Sequence, residues 1–139
     1  MTTDSDLLLQ LMSRKAGTSL PRDFYVSSAA HEADLRHIWT REWVFAASAA
    51  ELPKAGNYVT LQIGQYPVVV VRGTDGNVRA FHNSCRHRGS RICSASLGSQ
   101  PKLVCPYHQW TYDLDGKLLW ARDMGPDFKP SDHGLMPVH

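Results

Sequence analysis

The sequence of 139 residues contains only three cysteines, Cys85, Cys93 and Cys105, a small and odd number that excludes a disulfide scaffold. It has no long apolar run: Val68 to Val71 is the longest worth naming, against the roughly 20 residues that a membrane-spanning helix needs. Neither sign of charge dominates, since 15 basic and 13 acidic residues leave a formal net charge of +2, too little to argue for nucleic acid. Internal repeats, low-complexity tracts and a glycine-rich phosphate loop are also missing, which removes solenoids and P-loop nucleotide enzymes. At the N-terminus Asp4 and Asp6 precede the leucines, whereas a secretory signal puts positive charge there. With the unpaired cysteines, this makes the cytoplasm the expected compartment, and neither a membrane nor a nucleic acid is an expected partner.

What is present is ordinary for one folded core: 42% hydrophobic and 20% charged residues. Residues 1–24 mix charges, Gly17 and Pro21 without a sustained period, apart from a short helix that Leu7 to Met12 can form. From Ser28 onward, Leu35, Ile38, Trp39 and Trp43 fall at three- and four-residue spacing, which predicts an amphipathic helix capped by Ser27 or Ser28. His31 and His37 belong to it as solvent-facing or packing residues. After Pro53 the texture turns β. Asn57 to Ile63 alternates polar and apolar residues, Pro67 to Arg72 is a dense β-branched run, and Asp75-Gly76 sets a hairpin turn before Val78 to Phe81. A second such turn, Asp115-Gly116, separates Trp110 to Leu114 from Lys117 to Trp120. The expectation is a mainly β, antiparallel fold preceded by an N-terminal amphipathic helix. Its parts are an arm and helix over 1–44, a β domain over 45–125 and an irregular exit segment over 126–139.

The chemistry lies between the two hairpins. Cys85-Arg86-His87 and Cys105-Pro106-Tyr107-His108 each carry one sulfur and one imidazole, with 17 residues between them. Thiolate and neutral imidazole both bind borderline-soft metals, and ligands one or two residues apart bend around one centre. A structural zinc finger groups its two cysteines on one hairpin and its two histidines on one helix. Here each short motif is mixed, so two facing loops give two sulfurs to one iron and two nitrogens to another, the Rieske [2Fe-2S] arrangement.

In this arrangement, and in the phrases "AFHNSCRHRG" and "LVCPYHQWTYDLDG", residues 45 to 138 resemble the N-terminal Rieske domain of the oxygenase alpha component of ring-hydroxylating-type non-haem iron oxygenases. The resemblance implies a Rieske-type antiparallel β domain with cluster-binding hairpin loops, and a [2Fe-2S] cluster held by Cys85, His87, Cys105 and His108. It also implies electrons received from a flavin or iron-sulfur reductase or a ferredoxin, and passed to a mononuclear Fe(II) for oxygen-dependent hydroxylation or demethylation in a homotrimeric enzyme. The mononuclear site needs two histidines and a carboxylate; after His108 only His133 and His139 remain, without helical spacing, so its iron is expected in a catalytic domain absent from this chain. The stretches "LLWARDMGPDF" and "HGLMPV" resemble the branch that demethylates quaternary ammonium compounds such as glycine betaine. Some Rieske proteins close a disulfide between the two loops; here Gly89, Ser90 and Tyr107 occupy the neighbourhood, which implies a comparatively low potential.

Other residues near the motifs have simpler expected jobs. Cys93 and His82 read as structural, Gly89 lets the backbone pass close to the cluster, Pro106 stiffens the second loop, and Tyr107 and Trp110 cover the cluster or fill the core. The alternative to an oxygenase component is a freestanding Rieske-type ferredoxin, against which the N-terminal helix speaks.

Overall fold

The computed structural model describes residues 3–139; Met1 and Thr2, where the N-terminal arm begins, lie outside the described residues. The chain separates into two compact units, Met1–Val44 and Phe45–His139.

The first unit is helical. Helix α1, Asp4–Met12, begins three residues before the expected Leu7 because Thr3 and Asp6 form a capping box. The Asp6 N–H donates to Thr3 Oγ1 at 3.2 Å and the Thr3 N–H to Asp6 Oδ2 at 2.8 Å, satisfying donors that a helix start leaves open. A short α2, Asp23–Val26, precedes α3, Ser28–Asp34, whose cap is Ser27 through a 3.1 Å bond from the Ala30 N–H. The helix then widens into a π-turn over Leu35–Trp39. Thr40 causes the widening, since its N–H and its hydroxyl both donate to the Leu35 carbonyl, at 3.2 and 2.9 Å. The apolar face expected to run on to Trp43 therefore ends at Trp39, and Trp43 stands outside the helix at 98% exposure. Asp4 joins α1 to the π-turn through Arg36 at 2.6 Å and His37 at 3.0 Å, and these partners hold its carboxyl below the usual carboxylate range.

The second unit is β. Strands β1, Asn57–Ile63, β2, Tyr66–Arg72, β3, Val78–His82, and β4, Leu97–Ser99, form one antiparallel sheet in the order β3-β2-β1-β4. Strands β5, Leu103–Val104, β6, Thr111–Tyr112, and β7, Leu118–Trp120, form a second in the order β5-β6-β7. The valine run of β2 is continuous because both of its faces are covered. Val69 and Val71 join the larger core with Tyr58, Phe81, Leu103 and Tyr112, while Val68 and Val70 join a smaller one with Leu52 and Val59. Each buried valine contributes about 1.5–3 kcal/mol at most, by area removed from water. Both Asp-Gly turns form where expected. At the second, Gly116 has φ +90° and its ideal Cβ would lie 2.6 Å from the Phe81 ring, so both conformation and space require glycine.

The segment after Arg122 is irregular but not detached. The His82 N–H donates to the Met136 carbonyl and the Val138 N–H to the Ala80 carbonyl, both at 2.9 Å, while Leu135 is buried. The tail thereby extends the β3 edge of the first sheet and reaches the neighbourhood of both motifs. Among the described residues no helix is long and apolar enough to cross a membrane.

Candidate metal centre

The two motifs fold into near copies of one loop. In the first, the Cys85 N–H donates to the Ser90 carbonyl at 2.8 Å and the Gly89 N–H to the Cys85 carbonyl at 2.9 Å. In the second, the Cys105 N–H donates to the Trp110 carbonyl at 2.9 Å and the Gln109 N–H to the Cys105 carbonyl at 2.9 Å. The residue four after each cysteine is left-handed, Gly89 at φ +73° and Gln109 at φ +62°. Glycine adopts that conformation freely; a glutamine there costs about 1–2 kcal/mol. The strain sits beside His108, and aligning the two loops on their cysteines is the only sequence signal that points to it.

The loops bring like with like. The Cys85 and Cys105 thiols are 3% and 2% exposed; burial pushes the Cys85 thiol up, and the neighbouring Cys105 adds to the rise. The His87 and His108 rings meet edge to face, with centroids 4.7 Å apart. Nδ1 of each is buried and without a hydrogen-bond partner among the described residues. A buried polar atom left unpaired costs about 1–3 kcal/mol, so two side by side call for a ligand. Loss of solvent, then His108 and the Arg88 guanidinium, push His87 below its ordinary range, leaving its imidazole neutral with a lone pair to give at neutral pH. Among the described residues no three His, Cys, Asp or Glu side chains converge to hold a single ion. Two buried thiols and two unpartnered imidazole nitrogens form a donor set that fits a dinuclear iron-sulfur centre.

Four supporting residues escaped the sequence reading or were left undecided by it. Asn83, 1% exposed, pins the far end of the first loop: its Oδ1 accepts from the Ile92 and Cys93 N–H groups at 3.1 and 2.9 Å, and its Nδ2 donates to the Cys93 carbonyl at 2.6 Å. Trp110, 2% exposed, lies flat on His87 with centroids 4.9 Å apart and planes at 12°, which joins the two expected roles of core filler and cover. Tyr107 is the more exposed cover, its ring 3.8 Å from that of His108. Tyr112 reaches across from β6, where its hydroxyl accepts the Arg86 N–H at 3.0 Å and lies 3.2 Å from Cys85 Sγ. A metal-bound thiolate has no hydrogen to give, so with Cys85 as a ligand the hydroxyl would be the donor to the sulfur.

Cys93 lies in the core, where burial pushes its thiol up to about 11. His82 uses its backbone for hydrogen bonds, and its ring rests against Tyr66 at 6.2 Å.

The Tyr112 contact gives a measurable expectation. A hydrogen bond to a ligand sulfur favours the more negative, reduced state, so Tyr112→Phe should lower the midpoint potential. A net bond of about 1 kcal/mol corresponds to about 40 mV for one electron. A redox titration with an unshifted midpoint would show that the hydroxyl does not donate to the sulfur.

Comparison with known proteins agrees with this geometry. The family described as the Rieske [2Fe-2S] domain matches residues 42–132. The glycine betaine monooxygenase oxygenase subunit of Pseudomonas aeruginosa is 52% identical over 129 residues, covering 92% of this chain and 30% of that protein. Naphthalene 1,2-dioxygenase from Rhodococcus sp. superposes with a TM-score of 0.86 at 30% identity, over 99% of this chain and 33% of that one. A quaternary ammonium Rieske monooxygenase superposes with a TM-score of 0.78 at 33% identity, over 86% of this chain and 35% of that one. The chain thus spans about a third of the length of these relatives. Its two mixed loops and their paired donors are explained by this kinship: the chain belongs to the Rieske [2Fe-2S] domain family, whose cofactor is a [2Fe-2S] cluster.

Proposed function

We propose that Cys85 and Cys105 hold one iron of the [2Fe-2S] cluster, that His87 and His108 hold the other through Nδ1, and that the chain is the electron-transfer part of an oxygenase component. The observation that carries this is the pair of buried Nδ1 atoms, unpartnered among the described residues, together with the two buried thiols of the same loops. When bound, such a cluster takes up and returns single electrons, its irons being fully coordinated by sulfide and protein.

The chain's own residues shape that task. Trp110 fixes the plane of the His87 ring and, with Tyr107, keeps water from the imidazoles. Asn83 sets the span of the first loop, and Tyr112 supplies a hydrogen bond to Cys85. The quaternary ammonium relatives support a substrate of that class, such as glycine betaine, oxidised at a mononuclear iron site that belongs to a part of the enzyme outside these residues. A flavin or iron-sulfur reductase or a ferredoxin as donor, a homotrimeric enzyme and a cytoplasmic location complete the reading.

Chemical analysis tests the ligand reading. The purified chain should contain two irons and two acid-labile sulfides, with a red-brown visible spectrum. A colourless protein with one zinc and no sulfide would overturn it.

A further inference from the structure

The irregular exit segment places two rings against the tryptophan that covers His87. Besides stacking on His87, Trp110 meets Phe128 with centroids 5.5 Å apart and His133 with centroids 5.8 Å apart, the planes at 65° and 73°. Phe128 and His133 also touch each other, at 4.5 Å. His133 is the braced member of this group. It ends a single 3-10 turn, Pro130–His133, and its Nδ1 lies 3.1 Å from the Lys129 carbonyl. A carbonyl only accepts, so Nδ1 carries the hydrogen and the bond sets the plane of the ring. The chain just beyond is anchored as well: the Leu135 N–H donates to the Gly116 carbonyl at 2.8 Å, and the Leu135 side chain is buried. Val138 then bonds to Ala80 of β3.

An imidazole fixed by its own backbone and by the anchored strand behind it leaves the indole little room to tilt, and the indole in turn lies on His87 with planes at 12°. We infer that His133 is a positioning residue: from the exit segment it holds Trp110 flat on His87, and so sets the plane of a ring proposed above as a cluster ligand. The contact stands on the geometry alone, whereas its consequence for the cluster rests on that ligand reading. Outer partners commonly orient a metal-bound imidazole in this way, and losing one typically weakens a metal site by about 10–100-fold. His133 differs from the loop residues in reaching the ligand ring through another side chain, from a part of the chain that carries no ligand itself.

Two measurements on the full chain test it. In the metal-free protein the ring current of Trp110 shifts the His87 ring protons in the NMR spectrum, with Trp110→Ala marking zero. His133→Ala should lose most of that shift. His133→Asn keeps a donor for the Lys129 carbonyl without the ring and should lose it too, while His133→Phe keeps a ring on Trp110 and should retain it. In the cluster-loaded protein, His133→Ala should bleach about tenfold faster in an iron chelator, the lower end of the range for an outer partner, and alter the g-values of the reduced cluster; His133→Phe should restore both. Replacing His133 in a Trp110→Ala background should add nothing further, because the two act through one contact. Val70→Ala, in the separate smaller core, loses packing away from Trp110 and should leave the proton shifts and g-values as in the parent. The inference is overturned if His133→Ala and His133→Asn leave the His87 proton shifts unchanged, if the effects of His133→Ala and Trp110→Ala add in full, or if Val70→Ala alters the same signals equally. A parent chain without a cluster, whose His87 protons still respond to His133→Ala, would count against the ligand reading and leave the positioning role standing.

Discussion

Cys105→Ser is expected to yield a protein without visible absorption and without bound iron, and Cys85→Ser the same. The effect is all or none, because an iron-sulfur centre is assembled by its ligands together and the free energy of binding is lost with the site. Both thiols are nearly fully buried, at the base of loops whose backbone bonds are already closed by Ser90 and Trp110. No fourth cysteine exists to substitute for a missing one. Cys93→Ala is the contrasting variant. That thiol stays protonated at neutral pH because burial pushes it up to about 11, and it packs in the core. Its replacement should keep the full visible spectrum and lower stability by about 1 kcal/mol through the small volume lost. Bleaching by Cys93→Ala, or colour surviving in Cys105→Ser, would refute the ligand set; absorption spectra and iron assays on the three proteins decide it.

Trp110→Ala should produce the largest loss of stability of any single change near the site. The indole is 2% exposed; besides His87 it meets Phe128 at 5.5 Å and His133 at 5.8 Å, both edge to face. Removing a buried tryptophan costs about 3–5 kcal/mol. For a unit of this size, that lowers the melting temperature by more than about 12 °C. The same change frees the His87 ring and uncovers Nδ1, so the cluster should also bleach faster in the presence of an iron chelator. Trp110→Phe keeps a ring on His87 and should recover much of the retention while remaining less stable. Thermal melts of the metal-free protein separate the packing loss from the ligand loss. Equal bleaching rates for the parent and Trp110→Ala would confine Trp110 to the core.

Legibility varied with how local each feature is. The strands β1 to β3 and their Asp-Gly turn could be read almost residue by residue, since alternation, β-branching and turn chemistry are properties of neighbours. Strands β4 and β5, three and two residues long, are too short to show a period, and exist because β1 and β6 offer them a ladder. The amphipathic spacing through Trp43 misled, because periodicity assumes an α-helix while Thr40 bonds back to Leu35 and inserts a wider turn. Around the centre, the two mixed motifs are written in the sequence, but their supports are not. Asn83, Tyr112 and Trp110 act on residues nine to 27 positions away, and only the folded chain selects their partners.

The sequence by itself determined the kinds of donor, their spacing, the hairpins that present them and the excess of arginine around them, because these depend on residue identity and short-range geometry. Only the tertiary structure decided that both thiols are buried, that both imidazole Nδ1 atoms are left without partners among the described residues, and that Tyr112 and Trp110 close over the loops. These follow from packing two small sheets around one core, where atoms distant along the chain are forced into contact and every buried polar group must find a partner or a ligand.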